Sequence, residues 1–216
     1  MTGVGFEFSP NSNLTRCPIL PIAYDEVSWN SLMAATNLNG TGGDSYSYSN
    51  GVVGAGSDGV FEFDLYPYGN QSLTPGNRGT VKIGVSNNST ATLSDQIRYG
   101  VSKEQLAAMG GSIECSTDDP LTLGGNPGLS AAIKDDLTAI IGEPRAIPIF
   151  TTVSGPGNNA QYTIVRFVGI RILFVQLTGG NKRVIAQPAV LISETVIGGD
   201  ASSSSSYVYT KPKLVN

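Results

Sequence analysis

The sequence predicts a mainly β fold with a few short helices, an α+β chain that is β-sandwich-like and carries a long C-terminal β-hairpin. Three observations carry that expectation. Period-two alternation recurs, as in Ser45-Tyr46-Ser47-Tyr48 and Val60-Phe61-Glu62-Phe63-Asp64-Leu65-Tyr66, and this period aligns alternate side chains on one face of a strand. Turn formers separate such runs, with 27 glycines and 12 prolines among 216 residues. Charged residues are only 14% of the chain, against about a quarter in an average soluble domain. The implied surface is polar but weakly charged, as in extracellular β-proteins and in subunits that pack against their own copies.

Taken in order, the chain begins with a segment punctuated by Pro10, Pro18 and Pro21, which reads as an irregular N-terminal arm over 1–21. A short helix is expected within 22–33, because Asp25 and Glu26 suit a first helical turn. Val27 with Leu32, and Trp29 with Met33, would share its apolar stripe. The only tryptophan is expected in the core. After a Gly/Asn-rich loop over 37–44, the Ser-Tyr alternation reads as a strand ending in the Asn50-Gly51 turn. Gly51-Val52-Val53-Gly54-Ala55-Gly56 reads as a loop, and 60–66 as a clearer strand. A turn at Pro75-Gly76-Asn77-Arg78-Gly79 leads into a strand over 80–85.

Helical signals return over 88–110. Ser94 is a candidate cap for one short helix, and Ser102-Lys103-Glu104-Gln105 opens a second, stopped by Gly110-Gly111. Short strands at Ile113 and at 121–123 flank a Thr117-Asp118-Asp119-Pro120 turn. Leu129, Ile133, Leu137 and Ile140 or Ile141 recur at helical spacing, so 130–141 is the strongest helix, ended by Gly142. The last third is β. Pro148 suggests an edge position for the strand over 146–151. A long strand over 162–177 pairs with 182–192, and a bulge near Gly169 would bring Arg166 and Arg171 to the same solvent side. A last short strand, Tyr207-Val208-Tyr209, follows a Ser run. The whole is read as a single exported β-rich domain over 1–216, with a Ser-rich tail segment over 198–216.

Composition restricts function. The net charge is −4 and the longest basic grouping is Lys182-Arg183, so no track for nucleic-acid phosphates is expected. Histidine is absent, which removes the commonest general base and metal ligand. The two cysteines, Cys17 and Cys115, rule out a thiolate metal cage. They read either as one disulfide, adding about 4–5 kcal/mol in the chain-entropy model, or as two buried free thiols. Met1-Thr2-Gly3-Val4-Gly5 has neither a basic nor an apolar leader region, so an export signal is expected upstream, or the chain is cytoplasmic. The longest apolar stretch, 162–177, is broken by Arg166 and Arg171, and no membrane span is expected.

Candidate chemistry is sparse. Asp58, Glu62 and Asp64 follow a Gly-rich loop and read either as oxygen ligands for calcium or as a solvated strand edge. Asp118-Asp119 and Asp135-Asp136 are adjacent in sequence, so neither pair converges as an acid–base dyad. No serine lies in a Gly-x-Ser-x-Gly elbow, and Ser130 and Lys134 are four apart on an ordinary amphipathic helix. No enzyme, catalytic residue or cofactor is expected.

Several ordered segments resemble a known family. These are Pro75-Gly76-Asn77-Arg78-Gly79-Thr80-Val81-Lys82-Ile83-Gly84 with Asn87-Asn88-Ser89-Thr90-Ala91, then Gly128-Leu129-Ser130-Ala131-Ala132-Ile133-Lys134-Asp135-Asp136-Leu137, and Ile140-Ile141-Gly142-Glu143-Pro144-Arg145-Ala146-Ile147-Pro148-Ile149-Phe150. With Ser154-Gly155-Pro156-Gly157-Asn158-Asn159 and the run to Pro188, they are similar to TadE/TadG-like proteins of Flp-type (tight-adherence) pilus assembly. The resemblance spans about 18–188 and implies an envelope or surface protein, of which this chain would be the exported C-terminal region. It implies no catalytic residue. Where the family carries an acid, this chain has Lys82, which counts against a cation site there. The expected role is a non-catalytic structural or assembly protein of the bacterial cell envelope or surface, extracellular or periplasmic. Its expected partners are its own copies or other envelope and pilus proteins, with a filament or surface array as one form. The alternative is a surface glycan- or envelope-binding, adhesin-like module that uses Tyr46, Tyr48, Tyr66, Tyr68, Tyr207 and Tyr209 as platforms.

Overall fold

A computed structural model describes residues 4–7, 13–34, 43–66, 78–197 and 207–211. The 37–42 part of the expected loop, Pro10, Tyr68, the Pro75-Gly76-Asn77 part of the turn and the Ser run over 202–206 lie outside these residues. In chain order the elements are β1 (Val4–Glu7), β2 (Arg16–Cys17), β3 (Ile22–Asp25), α1 (Glu26–Ala34), β4 (Tyr46–Ser49), β5 (Val52–Ala55), β6 (Phe63–Tyr66) and β7 (Gly79–Val81). Then come α2 (Thr90–Tyr99), β8 (Val101–Ser102), α3 (Lys103–Ala107), β9 (Ser112–Cys115), β10 (Leu121–Pro127) and α4 (Lys134–Ala139), the last preceded by a 3-10 turn over Ala131–Ile133. β11 (Pro144–Ser154), β12 (Ala160–Gln176), β13 (Arg183–Pro188), β14 (Leu191–Ser193), β15 (Val196–Ile197) and β16 (Val208–Thr210) follow among the described residues. The protein is mainly β with a few short helices.

One sheet organises the rest. Its order is β10-β7-β3-β11-β12-β13-β6, and an added β10–β12 pairing closes five of these strands on themselves. The long β12 therefore serves two structures. Its first half pairs with β10 inside the barrel, and its second half forms the expected C-terminal hairpin with β13. The change of role is marked by a bulge. Ile149 pairs with Arg166 but Phe150 pairs with Ile164, leaving Val165 as the extra residue. Before it, Ala160, Tyr162 and Ile164 face one core together with Phe167 beyond it; Val165, Val168, Ile170 and Ile172 face a second core under α1, α2 and α4. Each fully buried Leu, Ile or Phe in these cores contributes about 1.5–3 kcal/mol.

The register shifts on β12 thus lie at Val165 against β11 and at Leu173 against β13, and not near Gly169. From Arg166 to Arg171 the register against β11 is unbroken, so the two arginines point to opposite faces. Gly169 answers a different need: a Cβ there would lie 2.3 Å from the Ala189 carbonyl oxygen and 2.4 Å from that of Tyr207. The backbone leading into β14 and β16 passes directly over it.

Pro148 is buried inside the sheet, opposite Phe167 of β12, not at an edge. A proline fits because the neighbouring ladder is interrupted. Leu20 donates to the Ala146 carbonyl and Ala146 to that of Pro18, but the Leu20 carbonyl turns back to accept from Ile22. No N–H is required of residue 148 on that side.

The N-terminal arm is also less irregular than its prolines suggest. β1 pairs with β9 and β15, and Phe6 is fully buried against Phe167 with ring centroids 5.3 Å apart. In the expected helix, 22–25 are β3 and only the remainder is α1. Asp25 caps it by accepting from the Ser28 N–H at 2.8 Å. Trp29 and Leu32 are buried, whereas Val27 is 76% exposed. Two short helices start where expected: Ser102 and Gln105 form a reciprocal capping box on α3, and Ser130 caps the 3-10 turn before α4, which covers only 134–139 of the expected 130–141. The cap of α2 is Ser89, not Ser94.

Candidate functional site

Of the acids picked out by the sequence, Asp58 and Glu62 converge with Asp44 around the β4–β5 hairpin, and each of these three holds backbone in place. Asn50 and Gly51 both have positive φ (52° and 85°), which sets the tight turn. The segment expected to be a loop after it is β5. At the open end of the hairpin, Asp44 accepts from the Ser57 hydroxyl and from the N–H groups of Asp58 and Gly59. Asp58 accepts from the N–H of Tyr48 at 3.0 Å and from Gln187 at 3.2 Å. Glu62, only 2% exposed, accepts from the N–H groups of Ser45 and Tyr46. It lies just ahead of β6, not on a solvated edge.

The surroundings divide these acids. Donation from Ser57 lowers the Asp44 pKa against the cost of burial, and the two N–H donors add to the lowering. Burial raises that of Glu62, and the charges of Asp44 and Asp58 add to the rise against the N–H donors of Tyr46 and Ser45. Asp64 sits on β6, is half-buried, and pairs with Arg183 at 3.2 Å. Among the described residues, no group of three or more His, Cys, Asp or Glu side chains is arranged to hold a metal ion.

Other charges tie elements together. Arg78, 5% exposed, donates to Asp25 at 3.2 Å and to the Asp64 carbonyl at 2.6 Å, with its guanidinium 4.3 Å from the Tyr24 ring centroid. Asp136 joins α4 to α2 by accepting from Ser94 and Arg98. Arg166 reaches α1 through Glu26 at 3.0 Å and Asn30 at 2.6 Å. Arg171 stacks 3.4 Å from the Tyr48 ring centroid while donating to the Gly142 carbonyl at 2.8 Å, and burial lowers its pKa.

The tyrosines expected as platforms are engaged in packing. Tyr46 lies 6.1 Å from Phe174, Tyr48 lies beneath Arg171, Tyr66 packs on the second core and Tyr207 meets Trp29 edge-on at 6.4 Å. Tyr209 stands apart at 37% exposure. Cys17 and Cys115 are both buried free thiols of the same core. Burial pushes their pKa values up to about 11 and about 12 respectively, against a weaker opposing hydrogen bond from Thr195 at Cys17 and with a small addition from Asp119 at Cys115.

Two open hollows accompany these features. One, of about 400 Å³, is lined by Lys82, Ser86, Met109 and Thr122 among others. The other, of about 300 Å³, lies between Glu7 and Lys103. The first has no carboxylate in its lining, and the second is lined by Glu7, Lys103 and Ser112 with Ala107, Gly110 and Gly111. No described helix is long and apolar enough to cross a membrane.

The surface feature that local sequence reading missed is the parallel β14–β16 pair. Leu191 and Val208 face each other on its inner side and are buried; Ile192 and Tyr209 face each other on its outer side and are 58% and 37% exposed. Val190, 51% exposed, flanks Leu191 on the same outer side by alternation. A signal was present in Val190-Leu191-Ile192 and Tyr207-Val208-Tyr209, but nothing local indicates that these two runs pair. Compared with protein-family models, curated proteins and solved structures, the chain matches none.

Proposed function

We propose that this protein is a non-catalytic structural or assembly component of the bacterial cell envelope or surface. It acts outside the cell or in the periplasm, by association with its own copies or with other envelope proteins, in the manner of the TadG-like pilus-assembly proteins it resembles. The observation that carries the reading is the commitment of its carboxylates: Asp25, Asp44, Asp58, Glu62, Asp64 and Asp136 each accept hydrogen bonds or pair with arginine to join one element to another. A carboxylate whose oxygens are taken up by donors within the fold is poorly placed to reach a substrate proton. The low charge and the exposed β14–β16 strip favour a surface that meets other protein.

Negative-stain imaging of cell-surface preparations, beside sizing of the isolated protein, tests this. Filaments or arrays containing the chain support the reading. A monomer in both preparations, at every salt and calcium level, overturns its self-association part.

A further inference from the structure

We propose that the outer face of β14–β16 is a self-complementary contact through which two copies of this chain pack face to face about a two-fold axis running along the strands. The proposal rests on the reading of the protein as a self-associating assembly component and names the surface and the partner.

The geometry comes from the register. Ile192 lies opposite Tyr209, and Ser193 opposite Thr210. One residue further, Glu194 and Lys211 form an ion pair at 2.8 Å with side chains 49% and 62% exposed. The outer face is therefore an apolar strip ending in one acid and one base side by side, the acid following β14 and the base following β16. A two-fold axis lying in the contact plane and parallel to the strands exchanges left and right without reversing the strands. It sets β14 of one copy over β16 of the other. Ile192 then meets the partner's Tyr209, and Glu194 meets the partner's Lys211, each contact occurring twice, as an isologous interface requires. An unrelated partner would have to supply an apolar strip with a charge pair of the opposite arrangement; a second copy supplies it by symmetry.

The inner side makes the face rigid enough to dock. Leu191 and Val208 are anchored in the core, and the close passage over Gly169 fixes the height of the pair above β12. Three apolar side chains per copy cover far less than the roughly 800 Å² per partner of a standard interface. The contact is accordingly weak in solution, with dissociation in the micromolar-to-millimolar range, ~10⁻⁶–10⁻³ M, and gains strength where copies are held side by side at a surface.

Sedimentation of the full chain over a concentration series is the test. The wild-type mass should rise toward twice the monomer. Ile192→Lys should remain monomeric with an unchanged melting temperature, since the side chain is exposed. Glu194→Lys places like charges across the contact and should weaken association roughly tenfold or more. The double variant Glu194→Lys/Lys211→Glu restores opposite charges under the same symmetry and should recover association to near the wild-type level. If the wild type associates but Ile192→Lys and Glu194→Lys associate equally well, this surface is wrong while self-association stands. If the charge swap fails to rescue, the two-fold arrangement is wrong. If the wild type is monomeric throughout, the proposal falls, whereas the self-association reading falls only if cell-surface preparations also show no filaments or arrays.

Discussion

The β4–β5 hairpin and the barrel strands are both β-structure built from short runs, yet they are held by different forces. β3, β7, β10, β11 and β12 close on themselves around fully buried Ile, Val and Phe side chains. In the hairpin no side chain is fully buried, and Val52 is 67% exposed. What fixes it is polar: three carboxylates accepting backbone N–H groups, and Arg171 clasping Tyr48 against the Gly142 turn. Apolar burial is nondirectional and cooperative, so the barrel opens only when the fold as a whole opens. A polar latch can release one element alone. The hairpin is thus the local unit of the molecule and the barrel its global one.

Breaking the global unit should have the largest effect. Asp25→Ala removes the cap of α1 and leaves Arg78 buried without its carboxylate; replacing one partner of a buried pair costs about 3–5 kcal/mol. Chemical denaturation should show a lower midpoint with an unchanged slope. A loss under 1 kcal/mol would mean that the pair is solvated. The two thiols report the same event. With pKa values near 11 and 12, Cys17 and Cys115 should resist a thiol reagent at pH 8 in the native protein. They should label together, two per chain, once it unfolds. Zero thiols after unfolding without reductant would show that the pair is bonded in that preparation.

Breaking the local unit should be milder and confined. Glu62→Ala leaves the Ser45 and Tyr46 N–H groups without their acceptor, a cost of about 1–3 kcal/mol. Amides of 45–55 should then exchange faster, while those of β11 and β12 keep their protection. Equal acceleration in both regions would erase the distinction.

The same contrast explains what could be read in advance. Features whose cause lies within a few residues were legible: the Asn50-Gly51 turn, the capping box of Ser102 with Gln105, the apolar spacing of Leu129, Ile133, Leu137 and Ile140, and the hairpin of β12 with β13. Features whose cause lies far along the chain were not. β1 is a strand because Val4 meets Cys115 and Phe6 meets Val196, and no local period reports such pairings. Pro148 can sit in the middle of a sheet because the Leu20 carbonyl turns away from it. Val27 is exposed because α1 begins at Glu26 and packs through Trp29. At the candidate sites Asp58, Glu62 and Asp64 were visible, but Asp44 and the N–H donors were not, since strand alternation says nothing about which loop folds over a carboxylate. The β14–β16 face was hidden for the same reason.

The smallest expected effect is also the one that most sharply separates a polar latch from an apolar core. Asp44 and Glu62 hold the same hairpin with opposite pH dependence. Asp44 is lowered from its ordinary 3.8, so its contribution is complete above 3.8 and is lost as the pH falls through the lowered value. Glu62 is raised from its ordinary 4.5, so its contribution is complete below 4.5 and is lost as the pH rises through the raised value. A protonated Glu62 keeps a carbonyl oxygen that still accepts from Ser45 and Tyr46. Protection of these amides, corrected for intrinsic exchange, should therefore peak between pH 3.8 and 4.5 and fall on either side. Glu62→Gln should flatten only the alkaline limb, and Asp44→Asn only the acid one. A monotonic profile in the wild type would mean that one carboxylate governs the latch, and the surviving limb would identify it.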